Sequence, residues 1–215
     1  MSEEMRRVQL YDIHKRNAQL MDFASFELPA YYKGLTTEHM AVRNAVGIFD
    51  ISHMGRVIVE GVDSEHFLNH VITNDVSTLS PNGAKYSVMC NENGGIMDDF
   101  VVYRLETQRF LVVFNASNRA KDYAWLVKNK EGFSVSIDDI SDDVVMFAVQ
   151  GPRAEKTLQE ISIDNLSNVQ RFRCMGSRLA DVEVLLSRTG YTGEDGFEVF
   201  VWNASMAKPQ IAVKL

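Results

Sequence analysis

A chain of 215 residues, 46% of them hydrophobic, is long enough to bury a real core in one large domain or two small ones, and too apolar to be disordered. Its 29 acidic and 22 basic residues give a formal charge of -7, which argues against nucleic acid as the main partner, because phosphate binding wants a clustered basic surface. No apolar run reaches the length of a membrane span and the start MSEEMRRVQLYDIHKRN lacks a signal peptide's apolar core, so the expected location is cytoplasmic, with no membrane partner. Cys90 and Cys174 show neither CxxC nor histidine spacing and are expected to be buried, reduced thiols.

The segment 1–34 contains FASFELPAYY, whose Pro29 and aromatic content exclude one regular helix, and it is expected to wrap the domain. Thr37 then precedes EHMAVRNAVG, a short helix in which Met40, Val42 and Val46 recur loosely at helical spacing, with Gly47 as its stop. These elements form a first piece, 1–54. GRVIVEG (55–61) follows as a strand, and Asp63 or Ser64 caps a helix SEHFLNHVI.

The pattern returns further on. VVMFAVQGP reads as a strand ending at Gly151, equivalent to Gly61, and RAEKTLQEI as a helix burying Leu158 and Ile161. FLVVFNAS and EVFVWNAS each close a strand before a helix, with Ser117 and Ser205 as N-caps. Strand, helix, hairpin, strand, helix thus occurs twice, implying an α+β fold of two pseudo-repeated halves, 55–140 and 141–215, with antiparallel or mixed sheets.

The hairpin of the first half carries the most informative residues. Asn91 to Gly95 tolerate positive φ, so Ala84–Cys90 and Ile96–Arg104 form two strands around a turn. Side chains alternate along a strand, so Met97, Asp99, Val101 and Tyr103 share one face while Ile96, Asp98, Phe100 and Val102 share the other. Asp98 and Asp99 diverge, which disfavours a converging carboxylate dyad. One acts alone, or neither acts and one caps the turn while the other is solvated. If the halves are related, Glu194–Val199 is the rough counterpart of Asp98–Val101, and a ligand between the halves meets carboxylates from both.

RTGYTGEDGFEVF (188–200) has three glycines within seven residues, which let backbone approach a ligand, and Tyr191 offers a flat face to a ring. Glu198 suits the bidentate reading of a heterocycle that bears an amino group beside a ring N–H; the alternative is a glutamate on the solvent face of an edge strand. GPRAEKT fails as a phosphate loop because Glu155 stands where glycine is required. His66 and His70 have metal-compatible spacing but no third ligand nearby, and read as solvated helix histidines. Ser52 and His53 face apart in an extended segment, and Met54 reads as a pocket wall.

The motifs LYDIHKRNAQLMDFASFELPAYY, FDISHMG, NENGGIMDDFVVYR, FLVVFNASN, QGP and RTGYTGEDGFEVF, in that order and across the whole chain, resemble the glycine cleavage system T-protein, a tetrahydrofolate-dependent aminomethyltransferase. The resemblance implies that Asp99 lies beside N10 of tetrahydrofolate, that Met54, Tyr86, Tyr103 and Asn115 line the folate cleft between the halves, that Tyr191 contacts the folate, and that Glu198 holds the pterin edge. It implies transfer of a methylene from the aminomethyl group on the lipoyl arm of H-protein to tetrahydrofolate, with release of ammonia and without a metal. Asp99 would orient N10 and stabilise a cationic iminium, a task for an ionised carboxylate whose reference pKa is about 3.9. Within the same superfamily, a folate-dependent demethylase, a non-catalytic folate-binding module and an inactive truncated paralogue are the alternative expectations. Two departures stand out: Ser25-Phe26 occupies the place where the family usually has Gly-Trp, and the family's C-terminal β-barrel lies beyond Leu215, which puts activity of these 215 residues alone in question.

Overall fold

A computed structural model describes residues 5–215, so the first four residues of the expected wrapping segment lie outside it. Two compact units result: one is Met54–Ser141, the other joins the residues up to His53 with Asp142–Leu215. None of the helices among the described residues is long and apolar enough to cross a membrane.

The N-terminal part of the second unit begins with α1 (Tyr11–Asn17) and a hairpin of β1 (Gln19–Phe23) and β2 (Phe26–Tyr31). Its two-residue turn puts Ala24 and Ser25 at φ 53° and 64°. The helix α2 (Leu35–Asn44) starts two residues before Thr37, anchored by Glu38, whose Oε1 accepts the N–H groups of Tyr32 (2.8 Å) and Gly34 (3.0 Å) as well as that of Lys33. Gly47 does not stop this helix. It opens β3 (Gly47–Asp50), where a Cβ would fall 2.6 Å from Val42 Cγ2. His14, 5% exposed, ties α1 to β3, with Nε2 2.7 Å from Asp50 Oδ2 and Nδ1 2.6 Å from the Tyr32 hydroxyl.

The contiguous unit runs β4 (Gly55–Glu60), α3 (Ser64–Val71), the hairpin β5 (Gly83–Cys90) and β6 (Ile96–Glu106), β7 (Arg109–Phe114), α4 (Arg119–Lys128) and β8 (Ser136–Asp139). The sheet has the order β5-β6-β7-β4-β8, antiparallel throughout. Alternate residues of β4, β6 and β7, among them Val57, Val59, Phe100, Val102, Phe110 and Val112, pack with Phe67, Leu68 and Val71 of α3 and Leu126 of α4. One sheet face is thereby committed to the helices, and the odd-numbered residues of β6 lie on the other. Asp63 sits at the N-cap of α3 without capping it; its Oδ2 accepts the Ser134 N–H at 2.8 Å instead. Ser117 is likewise no N-cap, because a 3-10 turn, Ala116–Asn118, intervenes and moves that position to Asn118.

In the second unit Asp142–Leu215 supplies β9 (Val145–Gln150), α5 (Ala154–Gln159), β10 (Cys174–Leu179), β11 (Val182–Ser187), β12 (Gly196–Val201) and a 3-10 stretch, Pro209–Lys214. Its sheet order, β10-β11-β12-β9-β3, reproduces that of the first, with β3 from the N-terminal segment taking the edge that β8 fills there. The repeat reaches side-chain detail: Asp75 and Asn165 each accept the N–H of the residue two further on, Ser77 and Ser167, at the start of matching 3-10 turns. Gly61 and Gly151 are equivalent, at φ 135° and 127°, each with its Cβ space filled by backbone: Ser134 O at 2.3 Å and Ala45 O at 2.6 Å.

The same topology corrects three expectations. β6 matches β11 and β12 matches β7, so Glu194–Val199 is not the counterpart of Asp98–Val101. Ile161 lies beyond α5 and is exposed, leaving Leu158 and Ala154 to anchor that helix in the core. Ser205 does not cap the last turn, whose N-cap is Lys208. Both cysteines are free; Cys174 is buried, which pushes its thiol up to about 11, and Cys90 is half-buried.

Candidate functional site

The turn between β5 and β6 is capped by Asn91, whose Oδ1 accepts the N–H groups of Asn93 (3.0 Å) and Gly95 (2.9 Å), with Gly94 at φ 78°. Neither aspartate is needed for that work. The pleat separates them as the alternation requires: Asp98 is 5% exposed on the helix side of the sheet, and Asp99 is half-buried on the opposite face.

Asp99 is held from two strands. The Tyr86 hydroxyl on β5 donates to Asp99 Oδ2 at 2.8 Å, and Asn115, just past the end of β7, donates from Nδ2 to the Asp99 carbonyl (2.9 Å) and toward Oδ1 (3.3 Å). Antiparallel register makes this possible, since Asp99 lies opposite Val88 and Tyr86 is two residues away on the same face. Tyr86 is half exposed, whereas Tyr103, further along the Asp99 face, is fully buried. Met54 is half-buried ahead of β4, and its carbonyl accepts from the Arg56 guanidinium.

Behind Asp99 lies a second layer that the sequence reading missed. Asp98 Oδ1 accepts Nδ2 of Asn115 at 2.9 Å and Nδ2 of Asn118 at 2.7 Å, and Asp98 is also hydrogen-bonded to Asp122 of α4. Burial pushes the Asp98 carboxyl up, but these hydrogen bonds outweigh it and hold the group below its ordinary range. Asp122 is fully buried; desolvation first, then the neighbouring Asp98, pushes it up to about 8. The spacing of Asn115, Asn118 and Asp122 at i, i+3 and i+7 marks one face of a helical run, and could have flagged the group.

The 188–200 segment belongs to the other unit. Two of its glycines are required by the chain's own packing: a Cβ on Gly190 would lie 2.0 Å from Gln150 Oε1 and one on Gly196 2.3 Å from Val149 O, while Gly193 takes φ 78° in the turn. Gln150, fully buried, donates to the Thr189 carbonyl (3.0 Å) and accepts from Thr192 Oγ1 (2.9 Å). Arg188 Nη2 reaches Glu155 Oε2 at 2.8 Å and pairs with Asp195, whose carboxyl that guanidinium holds low. Tyr191 is 99% exposed. Glu198 lies on an internal strand, between Ser187 of β11 and Ala148 of β9, which rules out the solvent face of an edge strand. It is half-buried, points away from the helix-side core, and accepts from Thr189 Oγ1.

Ser52 Oγ accepts the Met146 N–H at 3.0 Å, and the His53 ring packs edge-on against Phe23 and Phe26. Among the described residues no group of three or more His, Cys, Asp or Glu is arranged to hold a metal ion.

The site therefore presents a half-exposed acid held by a tyrosine and an asparagine on one face of a repeated α+β sheet. Residues 10–211 match the model described as the GCVT N-terminal domain, and the chain belongs to that family. Curated proteins named aminomethyltransferase resemble it closely. That of Thermoanaerobacter pseudethanolicus is 44% identical over 203 residues, covering 94% of this chain and 55% of the relative, and that of Thermotoga maritima is 46% identical over 211 residues, covering 94% and 58%. The crystal structure of glycine cleavage system aminomethyltransferase T from Bartonella henselae superposes with a TM-score of 0.87 at 31% identity, over 98% of this chain and 56% of that one. This chain therefore spans somewhat more than half the length of the relatives it matches. A heterotetrameric sarcosine oxidase from a Corynebacterium species shares the fold alone, at TM-score 0.58 and 16% identity.

Proposed function

We propose that this chain provides the tetrahydrofolate-binding part of an aminomethyltransferase of the glycine cleavage system, which moves a methylene unit from the aminomethyl-dihydrolipoyl arm of H-protein to tetrahydrofolate and releases ammonia. Tetrahydrofolate, when bound, supplies the nucleophilic nitrogen that accepts the carbon. The observation that carries the reading is the held carboxylate of Asp99: charge-assisted hydrogen bonds from Tyr86 and Asn115 fix it in a half-exposed position, while its neighbour Asp98 is turned inward.

The residues present suit such a ligand. Tyr191 offers an exposed ring for stacking on a planar heterocycle, and the half-buried carboxylate of Glu198 can accept paired N–H groups from a pterin edge. Asp99 orients the accepting nitrogen and offsets positive charge that develops as the amine leaves; a preorganised carboxylate does this without reorganising at the moment of reaction. Tyr86 and Asn115 fix its rotamer. Tyr103 supports the wall from within, and Met54 contributes an adaptable apolar contact.

The test is calorimetric titration of tetrahydrofolate into this 215-residue chain and into one extended to the full length of its curated relatives, followed by transfer from an aminomethyl-loaded lipoyl protein. The extended chain should bind and transfer, and Asp99→Asn should bind without transferring. Absence of binding by the extended chain would sink the folate reading.

A further inference from the structure

Two carboxyl groups hydrogen-bonded to each other must share a proton, because an ionised carboxylate can only accept. Asp122 stands one helical turn beyond Asn118, whose Nδ2 lies 2.7 Å from Asp98 Oδ1, so α4 carries its carboxyl to the same side of Asp98; the two acids are such a pair, and their surroundings decide which one carries the proton. Asp98 receives side-chain N–H donors from Asn115 at 2.9 Å and Asn118 at 2.7 Å, and the Asn115 backbone N–H approaches its Oδ2 at 3.4 Å. Asp122, fully buried on α4, receives no N–H or hydroxyl donor from any described residue. The charged groups acting on Asp122 are Asp98 from β6 and Lys121 from its own helix, whose Nζ stays 3.8 Å from Oδ1 while donating to the Met97 carbonyl at 2.6 Å. The other cation of that helix turn, Arg119, is paired with Asp139 at 3.1 Å. The proton belongs on Asp122, which donates to an ionised Asp98.

The pair is coupled to the surface acid through one side chain. Asn115 Nδ2 donates to Asp98 Oδ1 and to the Asp99 carbonyl and leans toward Asp99 Oδ1, so whatever fixes Asp98 also fixes the donor that meets Asp99. We propose that Asp122 is a positioning residue: as the protonated partner of Asp98 it locks Asn115, and through Asn115 sets the orientation of the Asp99 carboxylate. Its relevance to transfer rests on the folate reading; its effect on Asp99 does not. Loss of the Asp122 proton would bring two like charges together in a buried site, and the Asp98 side chain would have to shift, taking Asn115 with it.

The experiment follows the Asn115 side-chain amide and the Asp99 carboxyl carbon by NMR from pH 5 to 9.5 in the ligand-free chain, in the wild type, Asp122→Asn and Asp122→Leu. In the wild type both signals should move together with a midpoint near 8, where burial places the Asp122 carboxyl. Asn keeps a permanent donor toward Asp98, so Asp122→Asn should retain the low-pH wild-type positions throughout; Asp122→Leu should start from displaced ones. In the full-length enzyme, kcat for transfer should fall above the same midpoint in the wild type and stay level in Asp122→Asn, with KM little changed. No shared titration in the wild type, or its persistence in Asp122→Asn, overturns the proposal. A clean amide titration in a protein that binds no tetrahydrofolate would sink the functional reading and leave the acid pair standing.

Discussion

The Tyr86 hydroxyl and the Asp99 carboxylate meet at 2.8 Å across adjacent strands, on the sheet face turned away from the helices. Removing that hydroxyl leaves a half-exposed ring in place and takes one charge-assisted donor from the acid. Under the proposed function, Tyr86→Phe in the chain extended to the length of its relatives should fold normally and lower kcat for transfer about 10- to 100-fold, equivalent to about 1.5–3 kcal/mol for a hydrogen bond to a charged group. Steady-state kinetics beside a thermal melt would check it; an unchanged kcat would show that Tyr86 does not hold a reacting group.

Asp98 and Asp99 should separate in their effects. Asp98→Asn turns an amide donor toward Asn115, Asn118 and the Asp122 proton in a buried site, and should cost about 2–4 kcal/mol in urea unfolding. Asp99→Asn, on the half-exposed face, should stay within about 1 kcal/mol of wild type and, in the extended chain under the proposed function, abolish transfer. The reverse pattern would mean that the faces have been misassigned.

Stability should carry the mark of Asp122. Its folded pKa of about 8 stands above an unfolded value of about 3.9, so the native state keeps a proton that the unfolded chain has lost across that interval. Unfolding free energy should fall as pH rises from about 4 to about 8 and then level off. Asp98, held low, acts in the opposite sense, adding stability present above about pH 4 and lost as pH falls through its folded value. Scanning calorimetry at constant ionic strength should find Asp122→Asn gaining on the wild type from pH 5 to 8, at roughly 2–4 °C in Tm per kcal/mol. A constant difference between the two would rule out a protonated Asp122.

Ser25 at φ 64° occupies a conformation that costs an L side chain about 1 kcal/mol relative to glycine, at the position where the sequence resemblance leads one to expect glycine. Ser25→Gly should raise Tm by about 2–4 °C. The neighbouring Phe26 is 3% exposed beneath the Arg6 guanidinium, 4.4 Å from the ring centroid, so the aromatic half of the departure keeps its packing role.

Gly196→Ala drives a Cβ to 2.3 Å from a backbone carbonyl in an internal strand pair and should destabilise by about 3 kcal/mol or more. Gly190→Ala meets the Gln150 side chain instead, and should be partly rescued by Gln150→Ala, a coupling that a double-mutant cycle in urea would measure.

The repeat was readable in the sequence because Gly61 and Gly151 punctuate matching strand-to-helix turns, where both take positive φ, although the backbone that fills their Cβ space, at Ser134 and Ala45, is distant in the chain. The Asp98–Asp99 hairpin was readable because the five-residue Asn-Glu-Asn-Gly-Gly turn is followed by two-residue alternation from Ile96 to Val102. What escaped was non-local. Ser117 looked like a cap until a 3-10 turn displaced the helix start, and that same displacement sets the register that brings Asp122 onto Asp98. Gly190 read as backbone open to a ligand because Gln150, about forty residues earlier, could not be seen filling its Cβ space. Glu198 could be an edge residue only until β12 was found between β9 and β11.

The position of β3 in the second sheet has a consequence for the order in which the chain is made. A ribosome that has released residue 141 has delivered every strand of the β5-β6-β7-β4-β8 sheet, whereas β3 must wait roughly a hundred residues for β9, with β12 completing that strand's other side later still. Closing so long a loop is entropically slow. Until β9 is made, Ile48 and Phe49 of β3 have no sheet to pair with, so this strand stays an unpaired apolar segment of the nascent chain while the contiguous unit can already fold.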